Sequence, residues 1–233
     1  VTMSHYEDSF DVPVAFPVDA VENPLGKVVS DLGMSQLRLA ETYKYAHVTY
    51  FFNGLREPPF KGEYRTLIPS SAGLHPEEHP EMMAKAITDR LIEAIQSRAF
   101  EFILVNYANG DAIAHTSDYN ASLEAVRAID REIARVLKVV MNPDTLLVIT
   151  SDHGNIEEMI SPVTGLPESQ HDPSPVPFYL VANQYRGRKF MNADSLDIET
   201  LGSLADVAPT MLEVMGLQKP PEMTGRSLLE GLV

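Results

Sequence analysis

Thr145-Leu-Leu-Val-Ile-Thr-Ser151 leads directly into Asp152-His153-Gly154-Asn155. A short apolar run, bounded by Asn142-Pro143-Asp144 on one side and polar residues on the other, is the pattern of a buried strand. Asp and His then stand side by side where the strand ends, followed by a Gly that lets the backbone turn sharply. Open α/β sheets bind ligands outside the carboxyl ends of their strands. A carboxylate and an imidazole at that rim can therefore hold a hard or borderline divalent metal. The competing reading is an Asp that caps the next helix beside an ordinary surface His. For Asp-His-Gly alone that plainer reading is the better one; the rest of the chain reverses the order.

Upstream, Phe102-Ile-Leu-Val105 is a second buried strand, running into the turn-forming cluster Asn106-Tyr-Ala-Asn-Gly-Asp111. A helix over about 118–141 joins the two strands. Leu123, Val126, Ile133 and Val140 lie on its apolar face, and Glu124, Arg127, Arg131 and Lys138 on its solvated one. Before it, Met83, Ile87, Leu91 and Ile95 recur at helical spacing and predict a helix over about 81–98. Asn23-Pro24 opens an earlier helix that Gly33 ends, with Leu25, Val28, Val29 and Leu32 on one face. Leu37–Ala40 is a candidate strand. Lys44–Phe52 suits either a strand or a buried helix, and residues 53–80, rich in Pro and Gly, predict loop. Val176-Pro-Phe-Tyr-Leu-Val-Ala182 is a further strand, its Pro177 near an edge or at the start. A last helix covers about 202–215, before Gly216. Strand and helix in alternation predict an α/β fold: a doubly wound, mostly parallel sheet with helices on both faces.

The 233 residues suffice for one sizeable domain with a core of its own, or for two small ones. There are 18 Lys and Arg against 33 Asp and Glu, a formal charge of −15, which disfavours nucleic acid and anionic membranes as partners. It also makes phosphate binding require metal ions or a local basic group. No apolar run approaches the roughly 20 residues that span a bilayer. Val1-Thr-Met-Ser-His-Tyr-Glu-Asp8 lacks the features of a signal peptide, and a cytoplasmic location is expected. A first residue other than Met suggests a piece of a longer chain. The absence of cysteine excludes disulfides and thiolate metal sites.

Asp111-Ala-Ile-Ala-His115 follows the strand at 102–105. Its i, i+4 spacing puts a carboxylate and an imidazole on one side of a helical turn. His171, in Ser169-Gln-His-Asp172, precedes the strand at 176–182. Three rim loops thus offer Asp/His, Asp/His and His, most of a two-metal centre able to clamp phosphoryl oxygens. His5, His47, His75 and His79 fall away from the predicted rims and are expected to be surface or packing residues; Pro76 and Pro80 argue against a metal-binding helix at His75 and His79.

Asn106-Tyr-Ala-Asn-Gly-Asp-Ala-Ile-Ala-His-Thr116 and Ser151-Asp-His-Gly-Asn155 resemble the metal-binding segments of the cofactor-independent phosphoglycerate mutases, within the alkaline phosphatase superfamily. Leu39-Ala-Glu-Thr-Tyr-Lys-Tyr-Ala-His-Val-Thr-Tyr-Phe-Phe-Asn-Gly54, Pro173-Ser-Pro-Val-Pro-Phe178, Leu204–Leu212 and Met223–Leu228 resemble further segments of that family, in family order and over essentially the whole chain. The resemblance implies interconversion of 2-phosphoglycerate and 3-phosphoglycerate through a phosphoserine, with two divalent ions, most commonly manganese. By the same resemblance, Asp111, His115 and His171 would bind one ion and Asp152 and His153 would contribute to the other. Lys44 would contact the phosphoryl group, where a point charge beside the metals makes chemical sense; otherwise it is a surface lysine beside an aromatic segment.

The departures bear on function. The family's early Asp-Gly motif, its phosphorylated serine and most of its inserted transferase domain have no counterpart in these residues. Residues 1–16 resemble the tail of that inserted domain, 17–24 a hinge, and 25–233 the C-terminal part of the phosphatase-like domain, without its N-terminal strand segment. Ala112, Ala114, Ser117 and Leu55 also differ from the family pattern, the last two at positions where Gly is common. The expectation is part of a metal-dependent phosphoglycerate mutase, inactive by itself, whose partners are the phosphoglycerate substrate and the missing N-terminal segment of the same protein. Alternatives are a phosphopentomutase, a metal-dependent phosphatase, or a non-catalytic partner chain of a split enzyme.

Overall fold

Gln36–Glu41 forms β1, the central strand of a parallel sheet, and all six of its residues are buried. The structure is a computed structural model describing residues 1–3, 10–17, 21–71, 73, 75–161, 164–186 and 200–232. β2 (Glu63–Ile68) and β3 (Phe102–Val105) flank β1, with Gln36 opposite Glu63 on one side and Phe102 on the other. β4 (Leu146–Thr150) and β5 (Phe178–Ala182) form a separate antiparallel ladder. The α/β class and the parallel sheet are as expected; the antiparallel β5 differs from the predicted pattern. β2 was hidden in the stretch predicted as loop, because Gly62 and Pro69 bracket it so closely that only six residues carry a signal.

The pleat decides which helices cover each face. Leu39 on β1 and Ile103 and Val105 on β3 pack with Ile87, Leu91, Val136 and Val140. Those four side chains come from α2 (Ala84–Ser97) and α4 (Tyr119–Val140). Phe102 and Leu104 point the other way, toward Leu25, Val29 and Leu212 on α1 (Leu25–Asp31) and, later in the chain, on the helix Val207–Val214. Helices therefore cover both faces. Leu147 of β4 joins the α2/α4 core, which holds the second ladder beside the first.

The helix ends are explained locally. Asp118 caps α4 by accepting the Ala121 N–H at 2.9 Å, satisfying one otherwise orphaned donor. Arg98 closes α2 in the left-handed region, at φ 52°.

One face of β1 is polar. The buried Arg38 donates to Gln36 Oε1 at 2.6 Å and lies 4.4 Å from the Phe52 ring centroid. Burial lowers its pKa to about 10, partly opposed by Glu63. Gly26 is required beneath it, since a Cβ there would stand 2.2 Å from Arg38 Nη2.

The ambiguous Lys44–Phe52 stretch is helical: a 3₁₀ turn at Thr42–Lys44 and a π turn at His47–Phe51. The expected tail (1–16) and hinge (17–24) lie partly outside the described residues, as does His5. Among the described residues no helix is long and apolar enough to cross a membrane.

Candidate metal centre

β1 and β3 are parallel, so the segments leaving their C-terminal ends emerge at one rim. After β3, a short helix α3 (Asn109–Ala114) carries Asp111, with His115 at its C-cap. The fully buried Asn109 side chain fixes that helix by donating to Pro80 O at 2.7 Å. After β1, the 3₁₀ turn delivers Lys44, buried, with Nζ 2.6 Å from Asp111 Oδ2. After β4 come Asp152 and His153, and the loop before β5 brings His171.

These side chains converge. Asp111 Oδ1 lies 3.0 Å from His171 Nε2 and 3.1 Å from His115 Nε2, and the two imidazole nitrogens are 3.3 Å apart. His153 stacks on His171 with ring centroids 3.6 Å apart. Its Nε2 stands 3.7 Å from Asp111 Oδ1 and 3.6 Å from Asp152 Oδ1. His153 thus lies between the two groups that the family resemblance would assign to separate ions. Asp152 is half exposed, at the outer side of the cluster.

The donor chemistry fits a divalent cation. His115 Nδ1 is 2.6 Å from Ser169 O, and His153 Nδ1 is 3.2 Å from Gly154 O. A carbonyl oxygen only accepts, so in each neutral ring Nδ1 carries the proton and Nε2 turns a lone pair inward. Together with the Asp111 carboxylate, these lone pairs face one another at close range, an arrangement that a shared cation would satisfy. Cis ligands at about 2.1 Å from an ion are about 3.0 Å apart in an octahedron and about 3.4 Å apart in a tetrahedron. The Asp111–His115–His171 spacings of 3.0, 3.1 and 3.3 Å fall in that window.

Electrostatics keep Asp111 ionised. Burial pushes its carboxyl up, but the hydrogen bond and charge of Lys44, the Asn155 amide and His115 outweigh that and hold it at about 2. His47, expected to be a surface or packing residue, is exposed but stands within the field of the site. Burial and the Lys44 charge lower its pKa, with Asp152 and Asp111 opposing. Its sequence position gave no sign of this, because the π turn that swings it toward the rim was not legible.

Gly154 has a different reason from the one its sequence suggested. It is not among the residues at positive φ. Instead its carbonyl accepts the Asp172 N–H at 3.0 Å, zipping the two rim loops together in an isolated antiparallel bridge. A Cβ at 154 would sit 2.5 Å from Asp172 Oδ1 and 2.7 Å from Glu157 Oε1. The close approach of two loops demands glycine here.

A model of the metalloenzyme superfamily matches residues 16–219, and the chain belongs to that superfamily. Within it, the chain is 48% identical over 229 residues to the 2,3-bisphosphoglycerate-independent phosphoglycerate mutase of Thermomicrobium roseum, aligning 98% of this chain with 43% of that protein. It is 43% identical over 230 residues to the mutase of the same name from Nitrosococcus oceani, covering 99% of this chain and 43% of that one. A crystal structure of Leishmania mexicana phosphoglycerate mutase at low cobalt concentration matches with a TM-score of 0.74 and 27% identity, over 87% of this chain and 38% of the other. The chain therefore spans less than half the length of the relatives it matches, corresponding to their C-terminal portion.

Proposed function

We propose that this chain is the metal-binding part of a manganese-dependent phosphoglycerate mutase that interconverts 2- and 3-phosphoglycerate in the cytoplasm. The observation that carries the proposal is the convergence of Asp111, His115 and His171 within 3.3 Å of one another, with Lys44 against the same carboxylate. Asp111, His115 and His171 would hold one ion, and Asp152 and His153 would serve the second. Bound divalent ions supply positive charge against phosphoryl oxygens and lower the pKa of a hydroxyl nucleophile. The Lys44 ammonium adds a fixed positive charge at that point, offsetting the −15 of the chain where an anionic substrate must approach. The Ser169 and Gly154 carbonyls hold the His115 and His153 rings in the ligating tautomer.

In this reading residues 1–16 are the tail of an inserted transferase domain, 17–24 a hinge, and 25–233 the C-terminal part of the phosphatase-like domain. The serine that accepts the phosphoryl group, and the further ligands of the second ion, belong to a segment outside these residues. The test is an enolase-coupled assay with 3-phosphoglycerate and manganese, run on this chain and on the product of its complete reading frame. The complete product should turn over 3-phosphoglycerate and lose at least ~100-fold in rate on Lys44→Ala, while this chain alone should be inactive. Turnover by the chain alone near the enzyme median of ~10 per second would put the nucleophile within these residues. A complete product that is inert to phosphoglycerate but active on pentose phosphates or simple monoesters would replace the mutase with one of the alternatives.

A further inference from the structure

We infer that Asn155 is a positioning residue for the metal centre, setting the direction in which Asp111 presents its lone pairs. The inference rests on the metal-centre reading. Asn155 is buried, at 5% exposure, and its Nδ2 donates to Asp111 Oδ1 at 3.0 Å. That oxygen is the one facing His115, His153 and His171, whereas Oδ2 is occupied by Lys44. A carboxylate oxygen has two lone pairs. The amide takes one of those on Oδ1 and leaves the other aimed among the imidazoles. Lys44 pairs with Oδ2, so the direction of the oxygen that faces the imidazoles is set by the Asn155 amide.

Asn155 is itself held rigidly. Its N–H donates to Glu157 Oε2 at 3.0 Å, and its carbonyl accepts the Glu158 N–H at 3.2 Å. Its neighbour Gly154 is bridged to Asp172. Asp111 comes after β3 of the parallel sheet, whereas Asn155 comes after β4 of the antiparallel ladder. The amide therefore locks a ligand of one ladder to the rim of the other, so the relative placement of the two becomes a determinant of ion affinity. Hydrogen-bond partners of ligating groups typically contribute 10–100-fold in metal affinity.

The experiment titrates Mn2+ and Co2+ into the wild-type chain and into Asn155→Leu and Asn155→Ala. It follows ion affinity by calorimetry, the visible spectrum of bound Co2+, and thermal unfolding in EDTA. Leu keeps the bulk and removes the donor; Ala removes both. The expected result is an affinity loss of about 10–100-fold in both variants, with a changed Co2+ spectrum as the carboxylate rotates. The EDTA unfolding of Asn155→Leu should stay close to wild type, which separates positioning from loop stability. Wild-type affinity and spectrum in either folded variant would overturn the inference while leaving the centre intact. A wild-type chain that binds neither ion would remove the centre itself.

Discussion

Lys44 Nζ and Asp111 Oδ2 form a 2.6 Å ion pair in which the side chains are 9% and 18% exposed. The pair joins the turn after β1 to the helix after β3, at the point where three imidazoles gather. Removing Lys44 leaves a partly buried carboxylate without its ion-pair partner, a change that costs about 3–5 kcal/mol where the pair is fully buried and less here. Lys44→Met should therefore destabilise the chain in EDTA by less than about 3 kcal/mol. The same change removes a cation that competes for Asp111, so Mn2+ affinity should hold or rise, and added Mn2+ should restore part of the lost stability. Urea unfolding with and without Mn2+ checks both signs. A variant that loses metal affinity along with stability would contradict this role for Lys44.

Gly154→Ala introduces a Cβ where two carboxylate oxygens and the Asp172 carbonyl already stand, the last at 3.0 Å. Overpacking of this kind costs about 1–3 kcal/mol. Because the strain parts the His153 and His171 loops, Mn2+ affinity should fall at least ~10-fold as well. A metal titration beside a melting curve separates the two effects. Unchanged affinity would mean that the bridge to Asp172 does not position the ligands.

Leu55 and Ser117, the two positions where the resembled family commonly has Gly, both adopt left-handed backbone, at φ 68° and 57°. A side chain there costs roughly 1–2 kcal/mol, only partly offset by the greater unfolded freedom of glycine. Ser117 has little to lose, since its hydroxyl makes one long 3.4 Å contact to Glu168 O. Ser117→Gly should stabilise by about 0.5–1 kcal/mol, raising the midpoint of thermal unfolding by about 1–4 °C. Leu55→Gly should gain less, because its partly buried side chain is lost. A lower midpoint for Ser117→Gly would show that the backbone is not strained there.

Asp206 closes the C-terminal region. Its carboxylate accepts the Ser203 N–H at 2.8 Å and the Arg226 N–H at 2.7 Å, and these bonds lower its pKa. A carboxyl depressed on folding contributes stability above its unfolded pKa of ~3.9, and that contribution is lost as pH falls through the lower folded value. Asp206→Asn should therefore be destabilised by a constant amount from neutrality down to about pH 5. The gap from wild type should close as pH drops below ~4. A gap independent of pH down to ~2 would contradict this assignment.

Much of this was legible in the sequence because it depends on period and bracketing. α2 and α4 follow from apolar residues at helical spacing, although Leu123 and Val126 of α4 are exposed and its first half buries Ala121, Ala125 and Ala128 instead; β3 and β4 follow from short apolar runs ending in polar clusters. The i, i+4 spacing of Asp111 and His115 gave their shared side of the turn. Other features depend on contacts between segments far apart in the chain. β2 is a strand only because β1 lies beside it. The orientation of β5 was not encoded in its own residues. Gly154 answers to Asp172 and Glu157, Asn155 to Asp111, and His47 to a π turn, and none of these has a periodic signature.

The mutase reading and the role of Asn155 both depend on Asp111, His115 and His171 forming a divalent metal site. That site can be read from the loss of the free Mn2+ electron paramagnetic resonance signal as the wild-type chain is added, repeated with the Asp111→Asn and His171→Ala variants. Saturable binding to the wild type is expected, with a fall in affinity of at least ~100-fold in each variant, as when a directly bound ligand is removed. A wild-type chain that leaves the signal untouched, or variants that bind as tightly as wild type, would contradict the site.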